Sequence, residues 1–384
     1  MIRSKFRRPL AITVAFASLG IGSAVAGSTW ALTLEGDGYG AFLGAALVDS
    51  GIIAVGATNH RHMPPYSGDA LFVWVDLEGR VLAEKTWGGR GYEQAHAVLE
   101  ADDGGLLIFG ETDSYGAGDR DFFLLRTESG GGEIWMKTYG SPWREWPYGM
   151  LELENGDLLL YGRTQSRRNG PEDRYAVRVT RSGAVVWEYA VARGRDEIVL
   201  DALELPTGEI LLCLIRDQDP LLIQLDENGE EQWLVHHRLP GWQFASGIAS
   251  ATDDELFLAG FQMSSDGSSQ VDVWLARADE AGSLLWETSF GRRGQDDYAH
   301  KLVALSDGGF LIAGLGHGLP LFKIDALGDV IWEARPGREA VYATGDVLEL
   351  ENGDLIIPAM IQLDPGRSYN PVLFRLNAEG QLTP

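Results

Sequence analysis

Short apolar runs recur along the chain, separated by turns rich in glycine, aspartate and asparagine. Between Trp286 and Trp332 the runs and turns alternate in this order: 301–305, Asp307-Gly308-Gly309, 310–313, a loop, 321–324, Asp325 to Gly328, and the run that contains Trp332. Runs this short, rich in Val, Leu, Ile, Phe and Trp and bounded by such turns, predict β-strands. The segment therefore predicts a unit of four strands with three connections.

The same unit recurs seven times. A glycine closes the turn before each Trp-containing run, at intervals of 46 to 53 residues: Gly79, Gly131, Gly183, Gly229, Gly282, Gly328 and Gly380. Three residues earlier stand Asp76, Glu128, Thr180, Asp226, Asp279, Asp325 and Asn377. Four residues later stand Ala83, Trp135, Trp187, Trp233, Trp286 and Trp332. An Asp-x-x-Gly turn suits type I geometry, with the acid at the first position and glycine at the fourth.

Four-stranded units of this length predict an all-β protein, a seven-bladed β-propeller with four antiparallel strands per blade. The chain ends on a third strand, 371–376, followed by the turn from Asn377 to Gly380. It starts with an unpartnered Trp strand, 28–34, in which Trp30 precedes Ala83 by one full period. The N-terminal strand is therefore predicted to complete the last blade, and ring closure would remove exposed sheet edges. Trp135, Trp187, Trp233, Trp286 and Trp332 are predicted to pack between blades.

The repeated pattern is W-x-x-x-(Y/F)-G, then D-G-G-x-x-x-x-G, then D-x-x-L-x-(K/R)-x-D-x-x-G. It is clearest at Trp286 to Gly291, Asp307 to Gly314 and Leu321 to Gly328. It resembles the repeat propellers of exported bacterial and archaeal proteins, described as PQQ-like or kelch-like. The resemblance covers 28–384 and implies a propeller of the WD40 or YVTN type, in proteins of mostly uncharacterised function. The segment from Asp226 to Trp233 lacks the threonine of the quinoprotein tryptophan motif and is one residue shorter, so no cofactor is predicted.

The first residues predict a secretory signal peptide, 1–26, before a propeller domain of 27–384. Basic residues precede an apolar segment that ends at Ala24-Val25-Ala26, which matches an A-x-A cleavage site. The apolar segment is short for a membrane span. The predicted location is therefore the periplasm or the outside of the cell, without membrane insertion, and with Gly27 as the new N-terminus.

Charge and cysteine content narrow the function classes. The net charge is −25, and removal of residues 1–26 would change it to −29. A chain this acidic is not expected to bind nucleic acid or anionic membranes. The one cysteine, Cys213, lies in an apolar run and is predicted to be a buried core thiol. We expect a monomer without metal or cofactor.

In such a blade the strands a, b, c and d place their a–b and c–d turns on one face and their b–c and d–a loops on the other. Five b–c loops are long, and we call the face that carries them the long-loop face: 58–68, 111–120, 163–172, 262–271 and 361–369. Length variation on one face is typical of a binding surface in a repeat protein.

Aromatic and basic residues outside the repeated positions mark candidate ligand-binding residues on this face: Tyr92, Trp143, Arg144, Trp146, Arg193, Trp242 and Tyr298. Rings and guanidinium groups together suit sugars, carboxylates or a protein partner. The alternative is that the rings cover blade ends and the arginines pair with Glu93, Glu145, Glu197 and Asp297.

His96 and His300 occupy equivalent positions near the start of strand a, counted back from the strand-b glycines. The equivalent positions hold Phe42, Tyr148, Leu200, Ser246 and Gly345. His96 and His300 with Tyr298 could serve acid–base catalysis, although repeat position alone also explains the histidines. No catalytic, phosphate-binding or calcium-binding motif appears.

The leading hypothesis is a non-enzymatic exported propeller that binds a protein or glycan partner through the long-loop face. The alternatives are a polysaccharide lyase or hydrolase using that face and, third, a quinone-dependent dehydrogenase.

Overall fold

A computed structural model of the protein describes residues 11–15, 29–35, 40–58, 68–165, 171–191, 194, 196–252, 254–263, 270–337, 340–343, 345, 347–362 and 369–382. These residues form strands, turns and bends. In this part of the chain, no helix has the length and apolarity that a membrane span needs.

The described strands form seven blades of four antiparallel strands, as predicted. Blade 1 contains β3 (Ala41–Val48), β4 (Gly51–Ala57), β5 (Ala70–Val75) and β6 (Val81–Trp87). Blade 2 contains β7 (Glu93–Glu100), β8 (Leu106–Thr112), β9 (Asp121–Thr127) and β10 (Glu133–Tyr139). Blade 3 contains β11 (Glu145–Glu152), β12 (Leu158–Gln165), β13 (Glu172–Val179) and β14 (Val185–Val191). Blade 4 contains β15 (Glu197–Glu204), β16 (Ile210–Arg216), β17 (Asp219–Leu225) and β18 (Glu231–His236). Blade 5 contains β19 (Gln243–Thr252), β20 (Glu255–Met263), β21 (Val271–Asp279) and β22 (Leu284–Phe290). Blade 6 contains β23 (Tyr298–Ala304), β24 (Phe310–His317), β25 (Leu321–Ile324) and β26 (Val330–Ala334).

Blade 7 joins both ends of the chain. Its strands are β27 (Ala340–Ala343) with β28 (Leu348–Glu349), then β29 (Leu355–Gln362), β30 (Tyr369–Leu376) and β2 (Trp30–Glu35). Trp30 pairs with Arg375 and Thr33 with Val372, so the predicted closure by the N-terminal strand is confirmed. A further strand, β1 (Ala11–Ala15), pairs with the outer side of β2.

The inner strand of blade 7 is divided, and its first part also joins blade 6. β27 pairs with β29 on one side and with the end of β24 on the other, through Leu315 to His317. The loop after β24 is one of the two short b–c loops, which leaves the end of β24 free to pair with β27. Blades 6 and 7 therefore share one continuous sheet.

The core lies between blades. Among the described residues, the buried apolar side chains form seven clusters, each drawn from two neighbouring blades. Cys213 is buried in the cluster of blades 4 and 5, as predicted. Both faces of a blade are covered by its neighbours, which explains why the middle strands are nearly continuous apolar runs.

The tryptophan and the turn glycine that mark each repeat contact each other at every blade junction. A tryptophan of one blade packs on the turn glycine of the next: Trp30 on Gly79, Trp74 on Gly131, Trp135 on Gly183, Trp187 on Gly229, Trp233 on Gly282, Trp286 on Gly328, and Trp332 on Gly380. The predicted packing of the repeated tryptophans between blades is thus confirmed. Blade 1 has Ala83 at the tryptophan position, and Trp74, its partner on the neighbouring strand, supplies the ring instead.

Hydrogen bonds reinforce the same contact. The aspartate of a turn accepts from two backbone N–H groups; for example, Asp226 Oδ1 accepts from Asn228 and Glu230 at 2.9 Å. The carbonyl of Glu227 in that turn accepts from the indole of Trp187 at 3.0 Å and from Arg178 at 3.3 Å, both in the preceding blade. The Asp-x-x-Gly turn is therefore a junction element as well as a hairpin.

We expect Gly229→Ala to destabilise the protein by about 1–3 kcal/mol more than Gly208→Ala, because overpacking adds to backbone strain. Both glycines have positive φ, +79° and +90°. A Cβ on Gly229 would lie 2.7 Å from Cδ2 of Trp187, whereas a Cβ on Gly208 meets nothing within 4 Å. Urea denaturation of the two variants measures the difference, and equal losses would show that the ring contact is unimportant.

Candidate functional site

The inner strand of each of the first six blades has a β-bulge at the same place. The register shifts at Leu43, His96, Tyr148, Leu200, Ser246 and His300. The inner strands of neighbouring blades contact each other, so these residues encircle the channel. A bulge re-aims a side chain, and bulges are frequent beside functional sites.

Four of these residues line a pocket of about 160 Å³ at the long-loop end of the channel: Tyr148, Leu200, Ser246 and His300. The ends of strands b add Ile215, Phe261 and Leu315, and the inner strands add Phe244, Ala299 and Lys301. The pocket thus draws on blades 3 to 6. Its walls are mainly carbon, and its basic groups belong to His300 and Lys301.

Aromatic contacts fix the walls of the pocket. Phe244 stacks on Phe261 with ring centroids 4.6 Å apart, and Phe261 meets the ring of Tyr298 edge-on at 4.9 Å. Because each ring is held by another, the pocket is shaped before any ligand arrives.

A second aromatic group adjoins the pocket on blade 3. The guanidinium of Arg163 lies 4.6 Å from the ring centroid of Trp146 and 5.8 Å from that of Tyr148. Arg163 also forms an ion pair with Glu172. Trp146 and Tyr148 therefore share one cation–π partner, and Tyr148 belongs to both groups.

Trp143 and Arg144 lie in the loop between β10 and β11, against the loop before β9. The Trp143 carbonyl accepts from the N–H of Asp119 at 3.0 Å. The Arg144 side chain is 43% exposed, and its Nε lies 3.7 Å from a carboxylate oxygen of Asp119. This long, exposed ion pair contributes little to stability, so Arg144 can contact a ligand.

Glu145 and Asp121 hold these two loops with buried carboxyl groups that face each other across Gly140. The side chains are 0% and 1% exposed, and a Cβ on Gly140 would touch Oε2 of Glu145 and Oδ1 of Asp121. Glu145 Oε1 accepts from the hydroxyls of Ser141 at 2.7 Å and Thr164 at 2.6 Å. Within the described part of the chain, Glu145 Oε2 has no hydrogen-bond partner. Burial raises the pKa of Glu145 to about 7, and the charge of Asp121 adds to the shift.

The other candidate rings differ in exposure. Trp242 is 50% exposed in the loop between β18 and β19. Tyr92 is 4% exposed, its hydroxyl donates to Gln94 at 2.8 Å, and Arg120 lies 5.0 Å from its ring centroid. Tyr92 is therefore part of the blade 2 wall, with no ring face open to a ligand. Arg193 lies outside the described residues.

The structure separates the two histidines. His300 lines the pocket, whereas His96 lies on blade 2, away from it. In blade 1 the bulged residue is Leu43, not the predicted Phe42. Phe42 pairs with Gly56, just as Ala95, the residue before His96, pairs with Gly110. The a–b hairpin of blade 1 is one residue shorter than those of blades 2 to 6, so counting back from the strand-b glycine gives a position one residue too early.

Comparison with protein-family models finds no match, and neither does comparison with curated proteins. Solved structures do match. The structure of polysaccharide lyase Uly1 covers 88% of this chain and 90% of its own, with a TM-score of 0.56 and 11% identity. The WD40 domain of Neurospora crassa Pan2 covers 90% and 92%, with a TM-score of 0.55 and 12% identity. The α-L-arabinanase of Penicillium chrysogenum, complexed with arabinobiose, covers 72% and 91%, with a TM-score of 0.50 and 13% identity. Likeness at these identities establishes the propeller fold and leaves function open.

Sequence reasoning missed several pocket residues, above all Phe244, Phe261 and Lys301. Phe244 lies two residues before the bulge, in the position that Trp146 and Tyr298 occupy in their own blades. A search for aromatic residues two positions before the bulge would have found Phe244. Phe261 and Lys301 lie in apolar strands and carry no signal of their own.

Proposed function

We propose that the protein is an exported, non-enzymatic propeller that binds a protein or glycan partner through the long-loop face. The observation that carries the proposal is the pocket at the mouth of the channel, with two aromatic groups beside it and two basic residues, His300 and Lys301, in its lining. Neighbouring blades pack through the repeated tryptophans and turn glycines. Trp143, Trp146 and Trp242 take no part in that packing, so blade packing does not explain why tryptophan stands at these positions.

Two of these tryptophans have the properties of binding anchors. Trp146 offers a ring that is already held by Arg163, so little conformational entropy would be lost on binding. Trp242 is half exposed in a d–a loop, where an apolar ring gains from contact with a partner. Such rings beside arginine are typical of the residues that dominate binding energy.

We expect Trp146→Ala and Trp242→Ala to weaken partner binding by 2 kcal/mol or more, about thirtyfold, while lowering the melting temperature little. Partners would first be found by affinity capture and a glycan array with the mature protein, and binding would then be measured by calorimetry. Trp187→Ala is the matched control, because that ring belongs to a blade junction; it should lower the melting temperature and leave binding intact. Normal binding by both variants, with lower melting temperatures, would show that the rings only cover the blade ends.

Export is part of the proposal and rests on residues 1–26. Among these, 1–10 and 16–26 lie outside the described residues, and β1 covers 11–15. We expect mass spectrometry of the protein from periplasm or culture medium to find Gly27 as the N-terminal residue. An intact Met1 in the membrane fraction would contradict this.

The finer family assignment also belongs to the proposal. The repeat pattern at Trp286 to Gly291 and Leu321 to Gly328 supports membership of the exported PQQ-like or kelch-like repeat propellers.

A polysaccharide lyase or hydrolase is the second candidate, favoured by His300 and Tyr148 lining one pocket. His96 lies elsewhere, and so does the ring of Tyr298, which packs on Phe261 beside the pocket. A screen of acidic and neutral polysaccharides for reducing ends or unsaturated products tests this candidate. Activity that His300→Ala abolishes would replace the binding proposal.

A further inference from the structure

We infer that the pocket at the channel mouth takes one apolar, ring-sized group that stands beside a negative charge, so that the partner is an acidic protein segment anchored by one apolar side chain. The inference rests on the proposed function and narrows its "protein or glycan" to one of the two.

Size limits the occupant. The pocket measures about 160 Å³, and an engineered cavity of about 150 Å³ in another protein holds one benzene molecule. One side chain the size of leucine or phenylalanine therefore fills the pocket.

The lining favours carbon over hydroxyl groups. Leu200, Ile215 and Leu315 supply aliphatic walls, and Phe244 and Phe261 supply rings. The Ser246 hydroxyl donates to the Ala299 carbonyl at 2.9 Å, so its proton is already used. A sugar buried here would leave several hydroxyl groups without hydrogen-bond partners, which is unfavourable. An apolar side chain has no such cost and gains free energy on leaving water.

The charges at the mouth specify what surrounds the apolar group. His300 and Lys301 lie in the pocket wall, and Arg163 lies over the adjoining Tyr148. Arg163 and Arg144 are paired with Glu172 and Asp119, so these arginines add little net charge. Among the ten residues that line the pocket, two are basic and none is acidic, in a protein with 56 acidic and 31 basic residues. Basic groups at the pocket attract an acidic segment there, whereas the acidic remainder of the protein repels that segment.

Small probes test the pocket without knowledge of the partner. The mature protein would be titrated with benzoate, benzyl alcohol, glucose and glucuronate, and ligand-observed NMR would report binding. We expect benzoate to bind about threefold more tightly than benzyl alcohol, because its carboxylate would pair with a basic group of the pocket. Glucose and glucuronate should bind more weakly than both. Equal binding of benzoate and benzyl alcohol, or tighter binding of either sugar, would overturn the inference.

A matched pair of variants shows whether the probe occupies this pocket. Leu200→Tyr should fill it and weaken benzoate at least tenfold. Leu43→Tyr makes the same change at the same bulge position in blade 1, away from the pocket, and should leave benzoate binding unchanged. The neighbouring Tyr148 shows that a tyrosine is tolerated at this position. Benzoate bound equally by both variants would overturn the inference.

Partner binding distinguishes a failure of the pocket inference from a failure of the proposed function. If a captured partner binds wild type, is lost with Trp146→Ala and is unaffected by Leu200→Tyr, the proposed function stands and the inference fails. If Leu200→Tyr abolishes partner binding and Leu43→Tyr does not, both hold.

Discussion

Trp30→Ala is expected to destabilise the protein by about 3–5 kcal/mol, because it removes a fully buried ring and leaves a cavity. Trp30 is 0% exposed and packs on Gly79 of blade 1. Its indole N–H donates to the Leu77 carbonyl at 3.0 Å. The ring therefore fastens the strand that closes the propeller to the first blade. Urea denaturation measures the loss, and hydrogen exchange should show the greatest deprotection in β2 and β30.

Trp233→Ala is the comparison. Trp233 also packs between blades, on Gly282, but it is only half-buried on the outer strand of its blade. The loss of stability scales with the area removed from water, so we expect about 1–3 kcal/mol. A Trp30→Ala variant that loses less than Trp233→Ala would show that closure does not depend on this ring.

Glu145→Gln is expected to stabilise the protein at pH 8 by on the order of 3 kcal/mol, and to have little effect near pH 4.5. Glutamine keeps an oxygen for the hydroxyls of Ser141 and Thr164, and it offers an N–H to Asp121 in place of a second charge. Burial also raises the pKa of Asp121. The basic groups on the neighbouring loops, Arg120 and Arg144, are directed to Glu111 and Asp119.

The sign follows from the direction of the pKa shift. The folded protein raises the pKa of Glu145 from 4.5 to about 7, so the folded state binds this proton more tightly than the unfolded state does. The resulting stability is fully present below pH 4.5 and is lost as pH rises through about 7. The difference in unfolding free energy between variant and wild type should therefore grow across this window and level off above it. A difference that does not change with pH would contradict the buried carboxyl pair.

Glu197→Gln is the matched control from the next blade. Glu197 occupies the position equivalent to Glu145, but Arg174 and Arg216 approach its two oxygens at 3.1 and 2.6 Å. Removing its charge takes one counter-charge from each guanidinium, although Arg174 keeps its ion pair with Glu231, and breaking a buried ion pair costs about 3–5 kcal/mol. We therefore expect opposite effects at pH 8 from the same substitution at equivalent positions. Stabilisation by both would show that repeat position, rather than local pairing, sets the behaviour of these acids.

Much of the candidate site was predictable as a region but not residue by residue. The long-loop face follows from loop lengths. On that face His300 lines the pocket, Trp146 shares Arg163 with Tyr148 of the pocket, and Trp242 is half exposed in a d–a loop. Tyr92 resembled them in sequence but is buried, because Gln94 and Arg120 enclose it. Its exposure depends on side chains from two strands and a loop, which a position in the chain does not reveal.

The repeat itself determined the architecture. Seven glycines, their acids and the tryptophans specify strand number, turn type and ring closure, because each is a local requirement that recurs once per blade. The tertiary structure alone decided which markers touch: a tryptophan meets the glycine of the following blade, not of its own. It also decided the pocket, where bulges bring Tyr148, Ser246 and His300 together from three blades. The reason is physical. Periodicity in a sequence reports neighbours along a strand, whereas the channel and the junctions are made by residues whose proximity arises only when the ring closes.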